Sequence, residues 1–337
     1  MSEPRLVFTE EHLRDLVARL LTPGTLIVTD EFNYPLLNNL APTVLVKDQE
    51  IEYIEEVKKK NSYTRVIAVG GCTALDLGRA CAAPNKEMVG IPTILSNSCL
   101  STNRSVIKRR GMYKSEETVA PIETIISVPT IVQNHADDIK HWSASGVGDL
   151  FSALSASVEH EYHRHGRLLA GITREAVSSN VPLCIEALRW VLGSFEDYTH
   201  DTLLKLAHYL HESSLEAGRN GTTALNAASE HWLYYKMQER QRYSKSLATH
   251  GRLVSIGTLL TLKIFGEQAG DNSLYEDMRQ AHLKVGLPLS FADLSEISVE
   301  REHIVQGLAD VAKGTMDCLY RDYFAAGDYA LLDRVFL

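Results

Sequence analysis

The sequence predicts an N-terminal α/β domain with a mostly parallel sheet, followed by an all-α domain. Three observations support this prediction. The length of 337 residues exceeds that of most single domains. Short β-branched runs alternate with helical stretches at first, as in crossover connections between parallel strands, and strand signals then end beyond about residue 145. We therefore predict a first domain at residues 1–140 and a second at 141–337, with a cleft for a small molecule between them.

The individual elements follow from composition and periodicity. Buried strands are predicted where β-branched residues run together, at 26–28, 44–46, 66–69, 89–91 and 124–127. Helices are predicted at 50–60 and 74–82 in the first domain, and at 168–192, 201–217 and 299–324 in the second. Pro129 and the polar run 133–140 are predicted to join the two domains.

Charge and composition narrow the class of partner. The formal net charge of −9 and the pI near 5.8 argue against nucleic acid or an anionic membrane surface as the main partner. A small-molecule substrate is favoured instead. The N-terminus lacks basic residues followed by a long apolar run, and no stretch reaches the roughly 18 apolar residues of a membrane span. We therefore expect a cytoplasmic protein without a membrane partner.

The five cysteines are scattered and never spaced as CxxC, which favours reduced thiols. Cys99 lies in a segment that is assigned below to the active site. The sequence around it shows no electropositive setting that would activate a thiol. We therefore expect Cys99 to be a small buried apolar group, the commoner role of a free cysteine.

A glycine pair follows the strand predicted at 66–69. Gly70 and Gly71 come directly after it, and a predicted helix begins after Cys72 and Thr73. Backbone amides at a helix N-terminus, with no side chain in the way, form an anion site suited to a diphosphate. A glycine pair after a strand is also often only a tight turn, so the motif alone leaves both interpretations open.

A second segment, 91–107, follows the next predicted strand and is rich in small hydroxyl residues. Thr93, Ser96, Ser98 and Thr102 are its candidate ligands for phosphate or ribose. The alternative is a loop whose hydroxyl groups cap its own helix, which needs no ligand.

Together the two segments resemble the iron-type alcohol dehydrogenase superfamily. The resemblance is closest to glycerol dehydrogenase and glycerol-1-phosphate dehydrogenase, with dehydroquinate synthase a more distant relative. The family motif GGGSxxDxxK is matched in order by Gly70, Gly71, Cys72, Thr73, Asp76 and Arg79. This resemblance implies a Rossmann-like N-terminal domain in a dehydroquinate synthase-like fold, bound NAD(P), and a homo-oligomer of two or more subunits.

Three positions depart from the family pattern. Cys72 replaces the third glycine, where its side chain would crowd a diphosphate, and Arg79 replaces lysine with the charge kept. The family segment PTxxSxDxxxS is matched without a gap at Pro92, Thr93 and Ser96. In that segment, however, Ser98 stands where the glycerol enzymes carry an aspartate that contacts substrate. The departure at Ser98 bears on the substrate more than on the fold.

Asp30 follows the first predicted strand, where the resemblance places the adenosine ribose. A carboxylate there accepts a hydrogen bond from a ribose hydroxyl and repels a 2′-phosphate, which favours NAD over NADP. The alternative is an aspartate that closes its own turn.

The resemblance also implies a metal site. The segment Gly146-Val-Gly-Asp149 matches the family's GxGD segment, and His231 and His250, 19 residues apart, match its two histidine segments. One oxygen and two nitrogens with a coordination position left open are typical of catalytic zinc. Iron, nickel and cobalt are the alternatives.

The function implied is the NAD(P)-dependent oxidation of a secondary alcohol, polyol or polyol phosphate, or the reverse reduction. A sugar-phosphate cyclase of the dehydroquinate synthase type is one alternative. Against it stand Asp149, where such cyclases present glutamate, and the missing lysine-rich substrate segment. A non-catalytic protein that keeps the nucleotide and metal sites is the other alternative, suggested by Cys72 and Ser98.

Overall fold

The computed structural model describes residues 3–134, 140–163, 174–221, 223–240, 248–315 and 318–336. The chain divides into two compact units, Met1–Ser143 with Tyr198–Thr223, and Ala144–Asp197 with Ala224–Leu337. Within these ranges, no helix is both long enough and apolar enough to cross a membrane.

The first unit is an α/β layer structure, as the sequence predicts. Its strands are β1 (Arg5–Thr9), β2 (Thr25–Thr29), β3 (Thr43–Leu45), β4 (Arg65–Gly70), β5 (Glu87–Pro92), β6 (Arg104–Arg109), β7 (Met112–Glu117) and β8 (Glu123–Ser127). All of them except β6 and β7 form one six-stranded sheet, which is parallel throughout and has the order β1-β8-β5-β4-β2-β3. The helices are α1 (Leu13–Leu20), α2 (Tyr34–Leu37), α3 (Ile51–Lys60), α4 (Cys72–Ala82), α5 (Val128–Asn134) and α8 (His200–Arg219).

The sheet is buried on both faces because helices cover it on both sides. Ile67 and Val69 of β4 belong to one apolar cluster, together with Leu16 of α1. Ala68 points the other way, towards α4, and Gly78 of α4 leaves the space that the Ala68 side chain fills. Helix α4 is buried almost all round, which fixes its N-terminus against the end of β4.

The sequence analysis missed β1 and the β6–β7 hairpin. Strand β1 is a short edge strand, so its side chains are only partly buried and the apolar pattern is weak. The hairpin is largely polar, and Arg110 and Gly111 link its strands with φ values of 52° and 78°. Positive φ at both central residues is typical of a two-residue hairpin turn.

The second unit is helical in its described residues. After α6 (Lys140–Val158) comes a π-helical turn, Glu159–His163. The other helices are α7 (Arg174–Ser194), α9 (Ser229–Arg240), α10 (His250–Ala269), α11 (Ser273–Val285), α12 (Phe291–Glu296), α13 (Arg301–Lys313), α14 (Leu319–Tyr323) and α15 (Ala330–Val335). The helix predicted at 299–324 is therefore two helices, because α13 ends at Lys313 with Gly314 as its C-cap and α14 begins at Leu319. The predicted start of another helix at Leu168 lies outside the described residues.

Helices α6 and α10 approach each other closely at two glycines. A Cβ atom on Gly148 would lie 2.5 Å from the Gly251 carbonyl oxygen, and one on Gly251 would overlap the Ser145 carbonyl oxygen. The Gly251 N–H, which has no partner within its own helix, donates to Ser145 Oγ at 2.9 Å. Asp149 and His250 are the immediate neighbours of these glycines, so the same contact sets the distance between them.

We predict that Gly251→Ala lowers the free energy of unfolding by about 1–3 kcal/mol, since the obstructing atom is backbone and α6 must move away. The measurement is the urea midpoint of the full chain. Gly193→Ala in α7 is the matched control, because its Cβ would meet no atom within 4 Å. Equal midpoints for Gly251→Ala and the wild type would contradict the packing described here.

Candidate functional site

Three polar side chains of the second unit converge on one point. His250 Nε2 lies 3.0 Å from Asp149 Oδ1, and His231 Nε2 lies 3.2 Å from His250 Nε2 and 3.8 Å from Asp149 Oδ1. One ligand atom from each residue lies within 4.8 Å of the other two. Asp149 and His231 are buried, and His250 is partly exposed. Solvent therefore reaches the cluster at His250.

Each of these residues comes from a different helix. Asp149 lies in the middle of α6, His231 in the first turn of α9, and His250 is the first residue of α10. The Gly148–Gly251 contact brings α10 against α6, and an edge-to-face contact with Tyr234 of α9 holds the His250 ring. The sequence analysis picked out these three residues, and the structure brings all three together.

A buried carboxylate fixes the tautomer of His231. Glu230 Oε1 lies 3.0 Å from His231 Nδ1 and also accepts the Ala228 N–H at 2.6 Å. Because the carboxylate is an acceptor, the ring carries its proton on Nδ1, and the lone pair on Nε2 faces His250 and Asp149. When His250 also presents a lone pair at Nε2, the two nitrogens and the Asp149 carboxylate can share one cation. The donor set therefore fits a divalent metal.

Glu159 holds the start of α9 in place. Its carboxylate accepts hydrogen bonds from Ser229 N, Ser229 Oγ and Leu319 N at 2.9–3.2 Å, which ties the first turns of α9 and α14 together. A carboxylate at a helix N-terminus is favourable. Burial and the neighbouring Glu230 raise the pKa of Glu159 to about 7. Two buried acids thus lie behind His231, and the sequence analysis singled out neither of them.

The glycine turn lies in the first unit. Gly70 ends β4 with φ +138°, a backbone conformation that residues with a side chain rarely adopt. Gly71 precedes the first residue of α4. Asp30 Oδ2 accepts the Gly71 N–H at 3.1 Å, and a Cβ atom on Gly70 would collide with that carboxylate. Asp30 Oδ1 accepts from both the backbone and side chain of Asn33, at 3.1 and 2.7 Å. Asp30 thus joins the ends of β2 and β4.

The hydroxyl-rich segment runs beside this turn. Ser96 Oγ lies 3.8 Å from Cys72 Sγ, and Thr93 Oγ1 accepts from Asn33 Nδ2 at 3.4 Å. Both residues are buried, and Ser98 is partly exposed. Thr102 lies further along and accepts its own loop's Arg104 N–H at 3.1 Å. The structure therefore gathers the first part of the segment at the turn, and gives Thr102 a local capping bond.

Asp76 and Arg79 form an internal pair. Arg79 is completely buried, and its guanidinium donates to Asp76 Oδ1 at 2.7 Å and to the Cys99 carbonyl oxygen at 2.6 Å. Thr73, by contrast, is exposed on the first turn of α4. The pair at the family's aspartate and lysine positions thus anchors α4 to the hydroxyl-rich segment.

Comparison with known proteins shows what this chain is similar to. The profile of the family described as iron-containing alcohol dehydrogenase matches residues 27–134. A glycerol-1-phosphate dehydrogenase [NAD(P)+] from Sulfolobus acidocaldarius is 24% identical over 264 residues, which cover 77% of this chain and 69% of that protein. The enzyme of the same name from Methanococcus maripaludis is 24% identical over 84% of this chain and 83% of its own length.

The chain is similar to the iron-containing alcohol dehydrogenases over residues 27–134. The fold agrees with that relationship: the crystal structure of a probable glycerol dehydrogenase from Sinorhizobium meliloti superposes with a TM-score of 0.65 at 17% identity, over 99% of both chains. The resemblance predicted from the sequence is thereby confirmed. The glycine turn lies inside the region matched by the family profile, and the Asp149 cluster lies outside it.

Proposed function

We propose that the protein is a metal-dependent, NAD(P)-linked dehydrogenase that acts on a secondary alcohol, a polyol or a polyol phosphate. The observation that carries this proposal is the convergence of Asp149, His231 and His250, of which His250 is partly exposed. The relatives named glycerol-1-phosphate dehydrogenase support the cofactor and the substrate class. We assign dinucleotide binding to residues 1–140 and metal and substrate binding to 141–337.

Asp149, His231 and His250 would hold one divalent cation, with zinc favoured over iron, nickel or cobalt because the set is one oxygen and two nitrogens. Such a cation, when bound, supplies Lewis acidity towards a substrate oxygen. The chain contributes preorganisation. Glu230 holds the His231 ring in the required tautomer, and the α6–α10 contact fixes Asp149 beside His250.

The glycine turn would hold the dinucleotide diphosphate. The N-terminus of α4 offers backbone N–H groups, and its positive dipole end favours an anion. Thr73, Thr93, Ser96 and Ser98 are the proposed hydroxyl partners, with Cys72, Asp76 and Thr102 retained as further residues of the site. Asp30 is proposed to select NAD over NADP, because a 2′-phosphate near its carboxylate is repelled.

We predict that purified protein binds about one divalent cation per chain and that His231→Ala abolishes this binding, since too few ligands remain to retain zinc. Metal content after dialysis against zinc measures the effect. His208→Ala is the matched control, because His208 lies exposed on α8. Full occupancy in His231→Ala would contradict the ligand assignment.

We predict that Asp30→Ser weakens the preference for NAD over NADP. The measurement is the ratio of the dissociation constants for NAD and NADP. A ratio is needed because Asp30 also accepts the Gly71 N–H, so the substitution disturbs the turn equally for both cofactors. Glu31→Ser, at the exposed neighbouring carboxylate, is the control. An unchanged ratio in Asp30→Ser would remove Asp30 from cofactor selection.

We predict net formation of NADH when the zinc-loaded protein meets NAD and an oxidisable polyol or polyol phosphate. A dehydrogenase releases reduced cofactor, so absorbance rises in proportion to product. The screen includes phosphorylated and larger polyols, because Ser98 replaces the aspartate that contacts substrate in the glycerol enzymes. Free phosphate released from a heptulosonate or hexose phosphate with no lasting change in NADH would favour the cyclase and contradict the dehydrogenase.

A further inference from the structure

Two cysteines meet beside the glycine turn. Cys72 is the first residue of α4, and Cys99 follows it by 27 residues, in the segment after β5. Their sulfur atoms lie 2.7 Å apart, compared with about 2.05 Å in a disulfide bond. Both side chains are partly exposed, whereas Cys81, Cys184 and Cys318 are buried. Cys72 and Cys99 thus differ from the other cysteines in both exposure and proximity.

Asn97 holds the two cysteines in this arrangement. Its Oδ1 accepts from the Cys72 thiol at 2.6 Å and from the Cys99 N–H at 2.9 Å. Arg79, which is paired with Asp76, donates to the Cys99 carbonyl oxygen at 2.6 Å and so holds the backbone at Cys99. The sequence predicts a small buried apolar group at Cys99, whereas the residue is partly exposed and contacts Cys72.

We propose that Cys72 and Cys99 are a redox-active pair that closes reversibly to a disulfide at the N-terminus of α4, with a small-molecule disulfide as the oxidant. One cysteine thiolate attacks a sulfur of the oxidant, the oxidant's S–S bond breaks, and one thiol leaves with a proton. The second cysteine then attacks the mixed disulfide and releases the other thiol. The chain loses two protons and two electrons, and the oxidant gains them as it becomes two thiols.

We assign the first attack to Cys99, because the proton of the Cys72 thiol is held by Asn97 Oδ1. Burial, reinforced by the neighbouring Cys99, raises the pKa of the Cys72 thiol well above its ordinary range, so Cys72 carries its proton at neutral pH. A protonated thiol is a poor nucleophile. Cys72 therefore acts as the resolving cysteine, with its sulfur already next to that of Cys99.

The position of the pair links it to the cofactor, an inference that rests on the proposed function. A dinucleotide diphosphate bound at the N-terminus of α4 would lie over Cys72 and shield both sulfurs. If only the unliganded protein reacts, a cofactor concentration of 100 times its Kd slows disulfide formation about 100-fold.

The test treats the full chain with oxidised glutathione, blocks free thiols by alkylation and maps the peptides by mass spectrometry. We expect a Cys72–Cys99 crosslink, a loss of two hydrogens, and recovery of both thiols with dithiothreitol. Cys72→Ser should instead accumulate glutathione on Cys99, and Cys99→Ser should stay largely unmodified. Cys81→Ala, which removes a buried thiol from the same helix, should behave like the wild type.

Any of three results would contradict the proposal that Cys72 and Cys99 form a disulfide. These are full alkylation of both cysteines, a persistent glutathione adduct on the wild type, and a crosslink to another cysteine. Repeating the reaction with NADH separates the two proposals. A crosslink that forms at the same rate with saturating NADH would leave the redox pair standing and remove the dinucleotide from the N-terminus of α4.

Discussion

The contact between Gly148 and Gly251 is the constraint on which the geometry of the Asp149, His231 and His250 cluster depends. Two helices that meet through backbone atoms alone have little freedom to slide or separate, because no flexible side chain lies between them. Asp149 directly follows Gly148 and His250 directly precedes Gly251, so the helix packing sets the distance between the two side chains. The site is therefore built on rigid elements and not on loops, as precise metal coordination requires.

Buried acids complete this geometry from behind. Glu230 orients the His231 ring, and Glu159 ties the first turn of α9 to that of α14. Burying two carboxylates close together costs free energy, which the raised pKa of Glu159 reflects. The hydrogen bonds to helix N-termini offset part of that cost. In the other unit, Asp30 plays a comparable part by accepting the Gly71 N–H.

Sequence motifs predicted the fold class and the three converging side chains because both leave strong local signals. A glycine pair after a β-branched run indicates a turn at a helix N-terminus, and two histidines in recognised segments indicate ligands. The supporting residues leave no such signal. Glu230 and Glu159 act through burial and contacts between distant helices, and the Cys72–Cys99 approach spans 27 residues. Strand β1 and the β6–β7 hairpin were missed because edge and polar strands lack the buried pattern that identifies strands.

X-ray absorption at the zinc edge of the zinc-loaded protein tests the central claim most directly. The account predicts two imidazole nitrogens and oxygen ligands at about 2.0–2.2 Å, with no sulfur. It also predicts that Gly251→Ala, which leaves Asp149, His231 and His250 in the sequence, disorders the zinc coordination or weakens zinc binding. A sulfur ligand at about 2.3 Å would contradict the account, because it would place the metal on cysteine and not on Asp149, His231 and His250.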